Sequence, residues 1–219
     1  MQHHHMIVIS LDAMNSLDFD LIKDLEPFND FIENGSYCNN VFSIYPSITY
    51  PAHTSIITSC YPSKHGIYNN VFDEESLIFD PNWHWYKEDI KVPTLYDYLE
   101  TAGFRNSAFM YPVMAGEKRG TVVPEIFGVR KNSTAKIMMQ NLPLLLKPAA
   151  FKASKNIDGL SQPGVDNFTH ELLMHVLKKN KVDTMFIHYT QLDTYRHDKG
   201  LFGDHVLMAY KDMAQKIKK

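Results

Sequence analysis

In the stretch YPSITYPAHTS, residues 45–55, a hydroxyl, that of Thr49, stands between Pro46 and Pro51, each of which fixes a backbone φ angle. Pro51 suits the first turn of a helix over 52–59, which puts Thr49 just before a helix N-terminus. Unpaired N–H groups and the positive end of the helix dipole favour an anion there, either a phosphate or the side chain's own alkoxide. A helix cap is the plainer reading of such a threonine. Asp12 and Asp193 each close an apolar run, and His197 follows Asp193 by four residues. Singly, these are the residues of turns, caps and surfaces. Together with a turn hydroxyl, carboxylate oxygen and imidazole nitrogen make the ligand set of a catalytic zinc site, or of zinc with a second divalent ion.

The elements around them decide whether these groups can meet. MIVISLDAM, residues 6–14, is an apolar run of strand length and reads as a central parallel strand buried on both faces. In 20–35, Phe28, Phe31 and Ile32 fall at helical spacing before Gly35, which predicts a helix covering that strand. Residues 93–103 run from a proline to a glycine and read as a second helix, with a buried strand in RNSAFMYP after it. In 165–180 Phe168, Leu172, Leu173 and Val176 make one helix face, and VDTMFIHYTQLD supplies the next strand. Strand and helix alternate, which predicts an α/β fold with a mainly parallel sheet and helices on both sides. Ligands of such a sheet bind beyond the carboxyl ends of its strands, where Asp12 and Asp193 fall.

Two segments break the alternation. Residues 71–91 are aromatic and acidic without a clean period, and Trp83, Trp85 and Tyr86 there either stack on a nucleobase or pack in the core. Residues 113–164 read as a cap or insertion over the active face, or as a surface excursion with a short helix over 134–141.

The 219 residues are 44% hydrophobic, enough to bury a core, and MQHHHM reads as a tag-like opening, so residues 1–5 are set apart from a domain over 6–219. A formal charge of −3 offers no basic field to nucleic acid or to an anionic membrane. The two cysteines, Cys38 and Cys60, read as packed thiols of a reducing cytoplasm, and the absence of a long apolar run predicts neither export nor anchoring.

These motifs resemble the type I phosphodiesterase/nucleotide pyrophosphatase family of the alkaline phosphatase superfamily. VISLDAM is similar to its strand ending in a metal-binding aspartate and PFNDFIENGSY to the helix that follows. YPSITYPAHTSIITSCYPSKHGIYNN resembles the nucleophile segment, with Thr49, Pro51, His53, Pro62, His65, Gly66 and Asn70 in one register, and HYTQLDTYRH resembles the second metal-ligand segment.

The resemblance implies an alkaline-phosphatase-like fold and two divalent ions, zinc by preference. Asp12 and Thr49 would bind one ion and Asp193 and His197 the other, with Thr49 as nucleophile. Asn70 and the backbone N–H of Tyr50 would stabilise charge on the equatorial phosphate oxygens. Two ions about 4 Å apart suit an in-line displacement, and coordination activates a threonine hydroxyl that is otherwise a weak nucleophile. A phosphothreonine forms and is then hydrolysed. The substrate implied is a small phosphodiester or nucleotide. His53 and His65 read as groups that fix the loop rather than as ligands.

The family's pattern adds an aspartate and histidine in a DHG element and a further histidine downstream, which this sequence does not carry. The GDH at 203–205 opens a helix, so Asp204 reads as its N-terminal cap. The resemblance thus covers an N-terminal portion with about half of a two-metal site. Two other readings follow: a non-catalytic domain that binds a phosphate-bearing ligand or a partner, and a phosphomonoester, sulfate or phosphonate hydrolase on the same scaffold.

Overall fold

The computed structural model describes residues 5–72, 83–126, 131–155, 157, 161–179 and 182–219. Residues 73–82 of the aromatic, acidic segment 71–91 and the histidines His3 and His4 therefore lie outside the described residues. The strands are β1 (Met6–Leu11), β2 (Asn106–Phe109), β3 (Thr121–Val123) and β4 (Thr184–Tyr189), the first, second and fourth in the segments expected from the sequence. All pairings are parallel, in the order β1-β4-β2-β3, with Leu11 opposite Tyr189 and Phe109 opposite Ile187. The helices are α1 (Phe19–Ile22), α2 (Phe28–Asn34), α3 (Thr49–Thr58), α4 (Pro62–His65), α5 (Leu95–Thr101), α6 (Lys131–Asn141), α7 (Lys147–Ser154), α8 (Gly164–Leu177), α9 (Gln191–Lys199) and α10 (Asp204–Ile217).

Side chains alternate across a strand, so the sheet sorts its residues onto two faces. Met185, Ile187 and Tyr189 of β4 join Phe109 in a core made with Phe168, Leu172, Leu173 and Val176 of α8 and with Ala209, Tyr210 and Met213 of α10. Phe186 and Ala108 turn the other way, against Ile57 of α3 and Tyr96 of α5. The α8 stripe matches the spacing that predicted it, and the sheet carries helices on both faces as expected. No helix among the described residues is long and apolar enough to cross a membrane.

Several expectations are corrected. β1 stands at an edge of the described sheet with Met6 and Ile7 exposed, not at its centre. The helix expected over 20–35 is two pieces, because Pro27 has no N–H to continue the first; α2 then ends at Gly35 in an extended conformation. Phe31 of its predicted apolar face is 54% exposed. Cys38 is exposed and Cys60 half-buried, so Cys38 is not a packed thiol. Thr94, not Pro93, caps α5 through a capping box with Asp97. Gly203 occupies the N-cap position of α10 and Asp204 the first helical position, where its charge still complements the helix dipole. Beyond these corrections, the segment 113–164 contains β3 and α6, which includes the short helix expected over 134–141, and puts Leu142, Leu146, Ala150 and Ala153 into the core beside α8.

Candidate active site

At the carboxyl end of β1 the ladder runs one residue further, Asp12 N–H donating to Tyr189 O at 2.9 Å. The chain then turns through Ala13 at φ 62°, a left-handed conformation that costs a non-glycine residue about 1–2 kcal/mol. Two bonds hold it there. Ala13 N–H donates to Asp12 Oδ1 at 3.1 Å, and Arg196 Nη1 donates to Ala13 O at 3.0 Å. Asp12 Oδ2 is left to face α3, where Thr49 Oγ1 donates to it at 3.3 Å.

Thr49 is the first residue of α3 rather than the residue before it. Ile48, extended, takes the N-cap place and its carbonyl accepts from Ala52 N–H at 3.0 Å. The Thr49 hydroxyl therefore makes no cap and is spent on Asp12. One turn on, His53 Nδ1 lies 2.8 Å from the Thr49 carbonyl, so that nitrogen donates and Nε2 accepts from Ser10 Oγ at 2.8 Å. Burial, helped by the charge on His188, lowers the His53 pKa to about 4 and keeps the ring neutral, as this tautomer needs. His53 thus ties the Thr49 backbone to β1. His65 accepts from Ile67 N–H at 3.2 Å and donates to Ser55 Oγ at 2.9 Å, again as a fixing group.

Asn70 is placed differently from the expectation for the Tyr50 amide. Tyr50 N–H donates to Asn70 Oδ1 at 2.9 Å, so this N–H is already engaged and is not free for a phosphate oxygen. The same bond settles which way the Asn70 amide points. Its Nδ2, a donor, turns away from Tyr50 and has no hydrogen bond among the described residues.

Asp193 and His197 sit on α9, not at a strand end, one turn apart, with Nε2 to Oδ1 at 3.4 Å. Two buried acids aim this helix. Asp166 of α8 accepts from Thr190 N–H and Gln191 N–H, both at 3.0 Å, and so caps α9 from a neighbouring helix. Asp18 accepts both bonds from Arg196 Nη2 at 2.7 Å and a third from Tyr210 at 2.6 Å. Because Arg196 also holds Ala13 O, one guanidinium fixes α9 against the loop that carries Asp12.

A cleft of about 410 Å³ gathers Asp12, Thr49, Tyr50, Asn70, Asp193 and His197, together with Trp83, Glu125 and Gln162. Every residue proposed from the sequence therefore lines one cavity. Trp83, half-buried, packs edge-on against Tyr50 at 5.5 Å between ring centroids, whereas Trp85 is buried in the core.

Two residues of the site were not foreseen. His188, fully buried on β4, has Nδ1 3.1 Å from Glu125 Oε2 and Nε2 3.5 Å from Asp12 Oδ2. Burial opposes its charge, but Glu125 and Asp12 outweigh that and raise its pKa well above the ordinary value. Burial likewise opposes the Asp12 charge, and the His188 ring and Ala13 N–H overcome it and lower the Asp12 pKa. Burial raises Glu125, and the nearby Asp12 and Asp193 carboxylates raise it further. Asp193 is raised by burial and by Asp12. A histidine inside the apolar run MFIHY was the available signal, since a buried imidazole needs a partner. Nothing in the sequence paired it with Glu125.

Converging carboxylates that repel one another, with a hydroxyl and an imidazole beside them, fit a divalent cation by donor chemistry. Asp12 and Thr49 offer one pair of donors, Asp193 and His197 another. Among the described residues no group of three or more His, Cys, Asp and Glu side chains forms a metal cluster.

A parallel sheet between helix layers, with Asp12 at the end of β1, Thr49 opening α3 and Asp193 on α9 about one cleft, defines an alkaline-phosphatase-like α/β scaffold. The chain belongs to the type I phosphodiesterase/nucleotide pyrophosphatase family, whose model matches residues 6–219. Among curated relatives it is 31% identical over 110 residues to human ectonucleotide pyrophosphatase/phosphodiesterase family member 1, covering 45% of this chain and 11% of that protein. It is 35% identical over 138 residues to the rat protein, covering 58% of this chain and 14% of the other. Murine ectonucleotide pyrophosphatase/phosphodiesterase 5 shares the fold with a TM-score of 0.63 at 15% identity, over 98% of this chain and 51% of that one. Phosphonoacetate hydrolase from Sinorhizobium meliloti 1021 does so with a TM-score of 0.54 at 15% identity, over 98% and 52%. The chain thus spans about half the length of these solved structures and a smaller part of the curated relatives.

Proposed function

We propose that this chain carries the nucleophile of a metal-dependent hydrolase of phosphodiester or pyrophosphate bonds in small phosphodiesters or nucleotides. The observation that carries the reading is the Thr49 hydroxyl, bonded to Asp12 Oδ2 at 3.3 Å on the first turn of α3, in one cleft with Asn70, Asp193 and His197. Family membership supports it, as does a structure of the murine relative described as an inactive threonine-to-alanine variant in complex with AMP.

Asp12 and Thr49 would hold one divalent cation and Asp193 and His197 a second, zinc in both cases. Such cations supply positive charge that lowers the pKa of a hydroxyl and offsets charge on phosphate oxygens. Thr49 Oγ1 gives up its proton to solvent and attacks phosphorus; its P–O bond forms as the bond to the leaving oxygen breaks, and that oxygen takes a proton from solvent as the alcohol or nucleoside phosphate departs. The α3 N-terminus favours the alkoxide, and Asn70 Nδ2 donates to an equatorial oxygen. Water then cleaves the phosphothreonine and restores the hydroxyl. Trp83, half-buried at the cleft wall, offers a ring face to a base or other flat leaving group.

Hydrolysis of bis-p-nitrophenyl phosphate by the zinc-loaded chain tests this. Turnover that Thr49→Ala lowers by about 10³-fold or more is expected. The lack of a three-residue metal cluster among the described residues favours a second reading, a non-catalytic domain that binds a phosphate-bearing ligand. A folded chain that binds neither zinc nor turns over the diester would replace the first reading with the second.

A further inference from the structure

We propose that His188 and Glu125 are positioning residues for Asp12, a buried imidazole–carboxylate pair that fixes the direction of Asp12 Oδ2. The proposal rests on the hydrolase reading in so far as Asp12 serves as a metal ligand. His188 lies on the sheet face that looks toward α3, the same face as Ser10 of β1, beneath the loop that carries Asp12. Its Nδ1 is 3.1 Å from the Met110 carbonyl and 3.1 Å from Glu125 Oε2. A carbonyl only accepts, so Nδ1 carries a hydrogen and the ring has one orientation. Nε2 then points to Asp12 Oδ2 at 3.5 Å, buried and with no hydrogen bond of its own. The His53 ring, 4.4 Å away between centroids, packs against His188 and limits its sideways movement.

Nothing in the packing of β4 calls for these groups. The neighbouring positions of the strand are Phe186, Ile187 and Tyr189, all buried, and an apolar side chain at 188 would fill the same layer. A buried carboxylate hydrogen-bonded to this ring, and a ring whose other nitrogen faces a carboxylate, form a chain Glu125–His188–Asp12 that ends at the cleft. Asp12 has Oδ1 pinned by Ala13 N–H, so His188 acts on the oxygen that also meets Thr49. Partners placed behind a metal-binding side chain in this way set its orientation and basicity, and their loss costs about 10–100-fold in metal affinity.

Zinc affinity is measured on the whole chain by competition with a fluorescent chelator for wild type, His188→Leu, His188→Gln and Glu125→Gln, with thermal unfolding of each. His188→Leu is expected to weaken zinc binding by about 10–100-fold. Glu125→Gln should weaken it less, and His188→Gln, whose amide nitrogen reaches the place of imidazole Nε2, should recover most of the loss. Leucine and glutamine are similar in volume, so such a rescue is not a packing effect. Unchanged affinity in folded His188→Leu and Glu125→Gln overturns the proposal. If His188→Leu does not fold, the Glu125→Gln and His188→Gln affinities decide alone: loss in the first with retention in the second supports the pair, and any other pattern overturns it. A wild-type chain that takes up no zinc overturns the hydrolase reading, and the Asp12 ¹³Cγ resonance of the metal-free chain then decides the positioning. A resonance displaced in Glu125→Gln and His188→Leu sustains it; an unmoved one ends it.

Discussion

The two halves of the cleft are built in different ways. Asp12 and Thr49 sit where β1 meets α3, with the Asp12 side chain only 15% exposed and each group held by bonds to backbone or to a buried histidine. Asp193 and His197 sit on one exposed helical turn, the His197 side chain 79% exposed and its partner 32%. The first pair is rigid because its own atoms are bonded. The second is placed because the helix beneath it is bonded, through Asp166 at its start and Arg196 on its buried side. If Thr49 is the nucleophile proposed above, it has to be held to tenths of an ångström, whereas an exposed pair can move to meet what binds it.

That contrast can be broken most strongly at Arg196. Arg196→Met would leave Asp18 as a buried acid without its cation and is expected to cost about 3–5 kcal/mol in urea unfolding. A cost under about 1 kcal/mol would show that the apolar face of α9 is enough to place it. Next in size is a pH effect confined to the Thr49 half. Folded His53 has its pKa lowered to about 4, while in the unfolded chain it titrates near 6.5. Below 6.5 the unfolded state binds the proton that the folded state refuses, so stability is present above that pH and is lost as pH falls toward 4. At 1.36 kcal/mol per unit the loss is up to about 3 kcal/mol, read as the difference between wild type and His53→Gln in urea unfolding from pH 7 to 4. A pH dependence equal in the two proteins would show that other groups carry it. The smallest effect is expected at His197, where His197→Ala should shift unfolding free energy by no more than about 0.5 kcal/mol. A larger shift would mean that the exposed pair helps to hold α9.

Much of this was legible in the sequence, for reasons that differ by residue. Apolar runs ending in Asp12 and in HYTQLD gave the parallel strands and the end of the sheet where polar groups collect. The α8 stripe of Phe168, Leu172, Leu173 and Val176 gave a buried helix. The prolines around Thr49 marked a constrained hydroxyl, although its place moved from before α3 to its first residue, because Ile48 closes the helix through its carbonyl alone. What stayed hidden is long-range. Asp166 capping α9, Arg196 joining Asp18 to Ala13, and Glu125 behind His188 are pairs separated by 24, 178 and 63 residues. Side-chain periodicity carries no information on such pairs. The middle position of β1 was misread because an apolar run does not say whether both neighbouring strands are present, and Phe31 because helical spacing does not say how much of a two-turn helix the core covers.

The bond from Tyr50 N–H to Asn70 Oδ1 has a consequence for chemical ageing. Hydrolysis of the Asn70 amide, which takes up water and releases ammonia, would replace NH₂ by O⁻ and leave the Tyr50 bond with the oxygen it already has. The fold would register almost nothing, and an assay of structure would pass the protein as intact. In the cleft, however, a donor would have become a second acceptor carrying negative charge, set against an incoming phosphate. Conversion of this one side chain to aspartate would therefore yield a population that is folded and yet presents negative charge where the proposed phosphate would sit.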